Sequence, residues 1–325
     1  MKPRIWVEGN LVESALERLR ASAEVVRSTN IGDLAGADGA VLGAQIQADS
    51  TFIERAGESL AVIARIGIGV DNVDAHAATR SGVLVVNTPD GPTESTAEHT
   101  IALLLSLAKR IVRSHQSLTG RPAEKRELFG TELKGKQIGV VGYGRIGRRV
   151  AEICRAGLGM QVVVFDPFVP HSALHADERA ASSLQELLAG SDVVTLHSAL
   201  TPETRHLIGA SELRSMKPTA YLINASRGPV VDEAALLAHL RERRIAGAAI
   251  DVFEVEPPET SNPLFELDNI VVTPHVASFT DLGVEKMGQG VVDQLEAIFR
   301  GERPQNLVNP AAWPGRAAAK GWATR

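Results

Sequence analysis

Short runs of β-branched and aliphatic residues alternate with amphipathic stretches along almost the whole of this 325-residue chain. A continuous apolar run without polar alternation is typical of a strand that is buried on both faces, as in a parallel sheet covered by helices. Six such runs, each followed by a polar or glycine-rich turn, occupy the middle of the chain at 137–141, 162–165, 193–196, 221–224, 248–251 and 270–273. The pattern therefore predicts an α/β fold built from parallel βαβ units.

The first third of the chain repeats the alternation and predicts strands at 5–8, 39–42, 60–64 and 83–86. At about 150 residues per domain, a chain of this length is expected to form two domains. Because two predicted long helices bracket the six central runs, we expect one α/β domain to be inserted into the other. The helices are 96–114, with Thr93 or Ser95 as its N-cap, and 281–299.

The predicted domain boundaries follow from those helices. The first domain combines residues 1–97 with 285–310, and the inserted domain covers 98–284. The last stretch, 311–325, is rich in Ala, Pro, Gly and Arg, and we expect it to be a poorly ordered tail.

Composition excludes several classes of protein. Hydrophobic residues make up 44% of the chain and charged residues 22%, which is ordinary for globular domains and excludes a disordered or fibrous chain. The 34 Lys and Arg are outnumbered by 39 Asp and Glu, so the net charge is −5. A nucleic-acid binder usually carries a basic excess, and we therefore expect no nucleic-acid partner.

Cysteine content and hydropathy bear on where the protein works. Cys154 is the only cysteine, which excludes an internal disulfide framework and a thiolate metal cluster. The N-terminal residues lack the apolar core of a signal peptide, and no apolar run approaches the ~20 residues that a membrane span requires. These features predict a cytoplasmic protein with no membrane partner.

The most specific local motif follows the first central run, where Gly142, Gly144 and Gly147 spell G-Y-G-R-I-G at the start of a helical pattern. In a dinucleotide-binding turn, the first glycine allows the sharp turn and the second lets the backbone approach a pyrophosphate. The third lets the helix pack closely on the strand. Free N–H groups of the helix face the anion, and Arg145 and Ile146 lie inside the same turn.

An acidic residue, Asp166, ends the next predicted strand, nineteen residues after Gly147. A carboxylate at this spacing accepts hydrogen bonds from a ribose 2′-hydroxyl and repels a 2′-phosphate. Positions 167–169 contain no arginine to offset that repulsion. The sequence therefore predicts NAD, rather than NADP, as the cofactor.

Three further segments place charged residues after predicted strands of the inserted domain. Arg227 lies in N-A-S-R-G-P, Glu256 in F-E-V-E-P-P and His275 in T-P-H-V-A-S. Ligands of open α/β sheets bind at the carboxyl ends of the strands, so we expect these residues to converge where the dinucleotide binds. Taken singly, each has an ordinary alternative as a solvated loop residue.

Together, these segments resemble the D-isomer-specific 2-hydroxyacid dehydrogenases, a family that includes phosphoglycerate, glycerate, hydroxypyruvate and glyoxylate enzymes. The resemblance covers residues 38–308 and includes the segments 64–74, 87–100, 129–151 and 196–208 in the same order. It implies a Rossmann-type doubly wound parallel sheet, inserted into a smaller flavodoxin-like α/β substrate domain, with the active site in the cleft between them. It also implies a homodimer formed through the inserted domain.

The resemblance implies a role for each charged residue. Arg227 would bind the carboxylate and carbonyl of a 2-oxo acid, and a guanidinium suits this because its fork matches pairs of oxygens. His275 would protonate the carbonyl oxygen as hydride arrives at C2, since histidine ordinarily titrates near working pH. Glu256 would pair with His275, favouring the imidazolium and orienting its ring.

Further binding residues are also implied by the resemblance. Backbone N–H groups around Ile68 and Gly69 would hold the substrate carboxylate, and Asp251 would contact the nicotinamide carboxamide. The other implied cofactor-facing residues are Thr96, His197, Thr201 and Ala225. No metal is expected, because the remaining histidines lack a His-Glu-x-x-His spacing.

One loop, residues 43–47, bears on the substrate. Family members that take 3-phosphoglycerate usually have an Arg-Ser pair near here that binds the phosphate, whereas Gly43 and Ala44 carry no charge. We therefore expect an unphosphorylated 2-oxo or 2-hydroxy acid of the glyoxylate or hydroxypyruvate type. Two alternatives remain open: an NAD-sensing corepressor-like protein on the same fold, and a formate or phosphite dehydrogenase.

Overall fold

The chain divides into two compact units in a computed structural model that describes residues 2–8 and 11–314. The first unit combines Met1–Pro92 with Phe279–Arg325, and the second is Thr93–Ser278. Both divisions fall beside the N-terminal ends of long helices, which begin at Thr93 and Asp281. The boundaries predicted after residues 97 and 284 lie inside those helices. The first helix begins three residues before its predicted start, and the predicted end of the inserted domain falls within the first turn of the second helix.

The first unit contains a five-stranded parallel sheet in the order β2-β1-β3-β4-β5, the flavodoxin-like order. Its strands are β1 (Arg4–Val7), β2 (Glu24–Arg27), β3 (Gly39–Leu42), β4 (Val62–Arg65) and β5 (Leu84–Asn87). Its helices are α1 (Glu13–Ser22), α2 (Ser50–Ala56), α3 (Ala75–Arg80) and α10 (Asp281–Phe299).

Alternate residues of each strand in this sheet enter two separate apolar clusters. Ile5 and Val7 of β1 pack in the cluster formed with α1 and α10, whereas Trp6 packs in the cluster formed with α2 and α3. All three side chains are fully buried. Because both faces are covered, the strands are apolar without alternation, as the sequence pattern predicted.

The segment after α10 returns to the edge strand β5. Leu307 pairs with Val86 in an antiparallel bridge, and the Asn309 side chain donates to Val83 O and accepts from Val85 N. The predicted tail begins next to this segment: Ala312 is buried at the end of a short 3-10 helix, Pro310–Ala312. Residues 315–325 of the predicted tail lie outside the described residues.

The second unit contains a seven-stranded parallel sheet in the order β12-β11-β10-β9-β6-β7-β8. Its strands are β6 (Gln137–Val141), β7 (Gln161–Phe165), β8 (Glu178–Ala180), β9 (Val193–Leu196), β10 (Tyr221–Asn224), β11 (Gly247–Ile250) and β12 (Ile270–Val272). Strand order reverses at β6, which creates the topological switch point of a doubly wound sheet. The predicted fold class is therefore confirmed.

Helices cover both faces of this second sheet. They are α4 (Thr93–Ala108), α5 (Ile111–Thr119), α6 (Arg145–Leu158), α7 (Leu184–Gly190), α8 (Ala210–Ser215) and α9 (Glu233–Arg241). One apolar cluster contains residues of α4 and α6, and the other contains residues of α7, α8 and α9. Within the described part of the chain, no helix is both long and apolar enough to cross a membrane.

The single helix predicted at 96–114 is wrong, because the chain forms α4 and α5 with a break between them. Arg110 adopts the left-handed conformation with φ +56°, which ends regular α-helix. A distant segment stabilises the break, since Thr131 N donates to Ala108 O at 2.7 Å and Lys109 Nζ donates to Thr131 O. The helix also starts at Thr93 itself, so Thr93 is its first residue and Ser95 lies in its first turn; neither is the N-cap.

Candidate active site

The glycine turn between β6 and α6 is tightly packed on one side and open on the other. Gly142 has φ +89°, and a Cβ there would lie 2.7 Å from the backbone of His197 and Ser198. A Cβ on Gly147 would lie 2.1 Å from Gly142 O, so helix and turn meet at a distance that only glycine allows. At Gly144, in contrast, a Cβ would meet no other group within 4 Å. This open side leaves room for a ligand to approach the backbone.

The first turn of α6 presents its N-terminal N–H groups at this open side. Gly144 is the N-cap residue and Arg145 is the first helical residue, exposed to solvent. Ile146 is half-buried and packs against the apolar cluster beneath, so its contribution to a ligand comes from its backbone N–H. Unpaired N–H groups at a helix N-terminus attract anions such as a pyrophosphate.

Asp166 lies beside the turn, directly after β7. Its Oδ2 accepts from Tyr143 N at 2.7 Å and its Oδ1 accepts from Phe168 N at 2.9 Å. The first of these bonds ties the carboxylate to the second residue of the glycine motif. The position of the Asp166 carboxylate relative to the backbone of the glycine turn is thus fixed before any ligand binds.

The other charged candidates follow neighbouring strands along the same edge of the sheet. His275 follows β12, Glu256 follows β11 and Arg227 follows β10, and these three strands are adjacent. Because all seven strands are parallel, their carboxyl ends share the edge that carries the glycine turn. At about 4.8 Å per strand, β12 and β6 are about 19 Å apart, a separation suited to an extended dinucleotide.

Asp251, directly after β11, holds the backbone around His275. It is fully buried, and its Oδ1 accepts from Thr273 Oγ1 at 2.6 Å and Val276 N at 3.0 Å. Its Oδ2 accepts from Ala277 N at 2.9 Å, and its carbonyl accepts from His275 N at 2.7 Å. His275 itself has φ +56°, a conformation that non-glycine residues rarely adopt. We call this set of bonds the Asp251 clamp.

Two opposing effects act on the pKa of Asp251. Burial acts to raise it, and hydrogen bonds to the carboxylate outweigh burial, so the pKa lies below its ordinary value. His99 of α4 takes part, because its Nε2 lies 3.0 Å from Thr273 Oγ1 and 3.5 Å from Asp251 Oδ1. Since Thr273 donates its proton to Asp251, it accepts from His99. Contact of Asp251 with the nicotinamide carboxamide stays a prediction.

Glu256 and His275 form a direct pair. His275 Nδ1 lies 2.6 Å from Glu256 Oε2, and Glu256 Oε1 accepts from Phe253 N at 3.0 Å. Each of the two side chains is one-third exposed, so they are accessible to a ligand as well as to each other. A carboxylate on Nδ1 fixes the ring so that Nε2 is the nitrogen left for a substrate.

Arg227 is presented by a turn that Asn224 builds. Asn224 is buried at the end of β10; its Oδ1 accepts from Ser226 N and its Nδ2 donates to Arg227 O at 2.9 Å. The next residue, Gly228, touches the segment that carries Glu256, since a Cβ there would lie 1.8 Å from Phe253 O. The segments of Arg227 and Glu256 are therefore in contact.

The remaining cofactor-facing candidates of this unit differ in their surroundings. Burial lowers the pKa of His197 to about 3, so its ring, bonded to Thr195 Oγ1, is neutral at physiological pH. Thr201 is exposed and closes a local turn through Thr204. Ala225 is buried at the carboxyl end of β10, and Thr96 is buried within α4.

The two predicted substrate-binding residues, Ile68 and Gly69, lie in the first unit after β4. Thr88 holds the preceding residue, because Gly67 N donates to Thr88 Oγ1 at 2.8 Å and Thr88 N donates to Gly67 O. Asn87 Nδ2 donates to Ile68 O at 2.7 Å. The loop is thus secured at Gly67 through both main-chain groups and at Ile68 through its carbonyl.

The polar residues that support the charged ones are not among the predicted site residues. Asn224 carried a usable signal, because an asparagine directly after a buried strand is a strong turn former. His99 and Thr273 carried none, since the two residues are 174 positions apart and only the sheet brings them together.

The Asp251 clamp predicts the local stability of the His275 segment. In Asp251→Asn, we expect the amides of Val276 and Ala277 to exchange with solvent about 10- to 100-fold faster, because hydrogen bonds to a carboxylate are lost. Hydrogen exchange followed by NMR measures this, with Asp268→Asn, an exposed residue paired with Arg243, as the control.

Since the folded pKa of Asp251 is depressed, the clamp should persist down to the ordinary carboxyl pKa of about 3.9 and fail only below it. Unchanged exchange in Asp251→Asn would refute the clamp.

Comparison with known proteins identifies the family. Residues 101–277 match the profile described as D-isomer specific 2-hydroxyacid dehydrogenase, NAD binding domain. A D-3-phosphoglycerate dehydrogenase from Archaeoglobus fulgidus is 41% identical over 269 residues, which are 83% of this chain and 51% of that protein. The chain thus spans about half the length of the phosphoglycerate dehydrogenases that it matches.

Two other relatives match nearly end to end. A glyoxylate reductase from Thermococcus litoralis is 36% identical, with 95% of this chain and 97% of that protein covered. The structure of an NADPH-dependent glyoxylate/hydroxypyruvate reductase from Sinorhizobium meliloti is 31% identical with a TM-score of 0.85, and 97% of this chain and 98% of that one are covered. The resemblance drawn from the motifs is confirmed: this chain belongs to the D-isomer specific 2-hydroxyacid dehydrogenase family, and residues 101–277 are its NAD binding domain.

Proposed function

We propose that this protein is an NAD-dependent oxidoreductase that transfers a hydride between NAD(H) and C2 of a small D-2-hydroxy acid or 2-oxo acid. The observation that carries the proposal is the Glu256–His275 pair on the sheet edge that bears the glycine turn. A paired histidine supplies a positioned proton, and the turn supplies a place for a dinucleotide. Relatives named glyoxylate reductase support this substrate class.

The residues around the turn fit NAD. Gly144 leaves the backbone accessible, the α6 N-terminus attracts the pyrophosphate, and Asp166 provides an acceptor for a ribose hydroxyl. When bound, NADH supplies the hydride for C2 of the 2-oxo acid. The protein's own residues bind the acid and move the proton.

His275 is the proposed proton donor. In the reductive direction, its imidazolium gives the Nε2 proton to the substrate carbonyl oxygen, while Nδ1–H remains bonded to Glu256 Oε2. Glu256 stabilises the imidazolium and keeps the ring oriented. Arg227 binds the substrate carboxylate and polarises the carbonyl, and N–H groups of Ile68 and Gly69 are the proposed partners of the carboxylate. Oxidation reverses these steps.

An unphosphorylated substrate is favoured by the charge beside the 43–47 loop. Glu8 Oε2 accepts from Gly43 N at 2.8 Å, so a carboxylate contacts this loop. A carboxylate there repels a phosphate group rather than binding it. Phosphoglycerate dehydrogenases are also among the relatives, so the substrate needs a direct test.

A substrate panel tests the proposed function. We expect oxidation of NADH, followed at 340 nm, with at least one of glyoxylate, hydroxypyruvate, pyruvate and bulkier 2-oxo acids, and little with 3-phosphohydroxypyruvate. Turnover of formate or phosphite alone would favour those dehydrogenases instead. NADH binding without turnover of any compound would favour the corepressor-like sensor and overturn the proposal.

His275→Ala should lower kcat by about 10²- to 10⁴-fold, the usual effect of losing a general acid. Binding of NADH, followed by fluorescence, should change little because His275 donates a proton and does not hold the cofactor. His76→Ala, which removes an exposed histidine of the first unit, is the control. A kcat equal to wild type in His275→Ala would remove this residue from the mechanism.

NAD rather than NADP is the proposed preference, although one solved relative is named as NADPH-dependent. Asp166→Ala should shift the ratio of kcat/KM for NADH over NADPH by about 10- to 100-fold towards NADPH, because it removes both an acceptor for the 2′-hydroxyl and a charge that repels the 2′-phosphate. Asp177→Ala, an exposed carboxylate near β8, is the matched control. An unchanged ratio in Asp166→Ala would contradict the assignment.

We propose that the protein is a homodimer formed through the segment after α4. Ile111, Leu118 and Phe129 are 53%, 89% and 85% exposed in this segment, and several large exposed apolar side chains in one segment favour a protein interface. Light scattering should give a molar mass of twice the chain mass. In the double variant Leu118→Ser with Phe129→Ser, the measured mass should fall towards that of a single chain. Phe168→Ser, equally exposed but in another loop, should leave the mass unchanged. A wild-type monomer would refute the dimer.

The cytoplasm is the proposed location. The only cysteine, Cys154, is fully buried in α6, and burial raises the pKa of its thiol to about 12. Such a thiol is a small apolar core residue rather than a reactive group. The folded chain therefore does not need an oxidising compartment to form an internal disulfide.

A further inference from the structure

The segment that carries Glu256 has little regular structure of its own. Residues 254–257 are exposed and lie in a bend between β11 and a short 3-10 helix, Pro263–Glu266. Glu256 makes its own contact inside the segment, through Phe253 N. A side chain that must hold His275 in one orientation therefore depends on contacts that fix the segment from outside.

Glu254, two residues before Glu256, makes those outside contacts. Its Oε1 lies 2.9 Å from His206 Nε2 and accepts from Glu233 N at 3.1 Å. Its backbone N–H donates to Glu233 Oε2, also at 3.1 Å. Asn262 Nδ2 donates to Glu233 Oε1 at 2.7 Å, which completes the partners of that carboxylate. Glu254 is thus joined to α9 through Glu233 and to a different loop through His206.

His206 is itself fixed to the segment that follows Arg227. His206 N donates to Pro229 O at 2.8 Å, and Ile208 N donates to Val230 O at 3.1 Å. The backbone of His206 has φ +52°, so the loop turns sharply at this residue. One residue therefore contacts the segments of both Arg227 and Glu256: the first through its main chain, the second through its ring.

We propose that His206 and Glu254 form a positioning pair. The pair holds Glu256 against His275 and keeps Glu256 at a fixed position relative to Arg227. This inference rests on the function proposed above. Neither residue touches the reacting atoms, so the pair acts through the geometry of Glu256. The His206 and Glu254 side chains are 43% and 32% exposed, which limits the pair to the modest strength of a solvent-accessible contact.

Kinetics of three variants test the positioning pair: His206→Ala, Glu254→Ala and the double variant. Each single variant should lower kcat about threefold to fivefold, the range open to a solvent-exposed polar contact, with KM for the 2-oxo acid within about twofold of wild type. The double variant should be no slower than the slower single variant, because both remove the same contact. His206→Gln, whose amide nitrogen can replace Nε2, should recover most of the lost kcat.

A matched control separates this effect from general surface change. Arg243→Ala breaks an exposed ion pair of the same unit, Arg243–Asp268, and should leave kcat and KM unchanged. Equal kcat in wild type and both single variants, or additive losses in the double variant, would overturn the proposal. A rise in KM with constant kcat would do the same, because it would indicate substrate binding rather than orientation of Glu256.

An NMR measurement decides the question without turnover. In protein labelled with [15N]histidine, the His275 ring signals are assigned with His275→Gln, and Glu256→Gln provides the reference for a weakened pair. In His206→Ala, the His275 Nδ1 signal should move from its wild-type position towards that reference, and His206→Gln should restore it. If it stays at the wild-type position, the positioning pair is refuted. If the signal moves while the wild-type protein turns over no 2-oxo acid, the proposed function fails and the pair stands.

Discussion

The buried carboxylate of Asp251 is the interaction on which the candidate site depends. A charge with no solvent exposure is tolerated only when hydrogen-bond donors surround it, and here those donors are the main chain and side chains on either side of His275. The hydrogen bonds that satisfy the Asp251 carboxylate therefore form only when the segment around His275 folds. The left-handed backbone of His275 would be unfavourable alone, and bonds to Asp251 on both sides of it offset that cost.

Parallel topology then distributes the chemistry along the sheet. Each strand ends at the same edge, so loops that follow different strands can all contribute groups to one site. The groups proposed for proton transfer follow β10 to β12, and those proposed for the dinucleotide follow β6 and β7 on the far side of β9. The neutral imidazole of His197 lies between the two sets, so no charge is introduced there.

Sequence patterns were sufficient for the buried strands and for the glycine turn, because both depend on residues close together in the chain. They failed for the edge strands β2 and β8, because E-V-V-R and E-R-A are partly exposed and lack a longer apolar run, although the edge strands β5 and β12 were predicted. They also failed at Arg110, because the break between α4 and α5 is stabilised by the distant Thr131 and no neighbouring residue predicts it. The same limit applies to the site: Arg227, Glu256 and His275 stand out at strand ends, whereas the partners His99 and His206 become evident only through distant contacts.

The return of the chain to β5 has a consequence for synthesis on the ribosome. The strand β5 is complete by Asn87, but α10 and the segment containing Leu307 and Asn309, which cover its sheet, are made only after the second unit. The whole second unit emerges between these events. Until then, the part of one apolar face that α10 covers and the edge of β5 are exposed, and such surfaces are prone to aggregate in a nascent chain. Folding of the first unit is therefore a late step, and chain truncation near the C-terminus would leave it permanently incomplete.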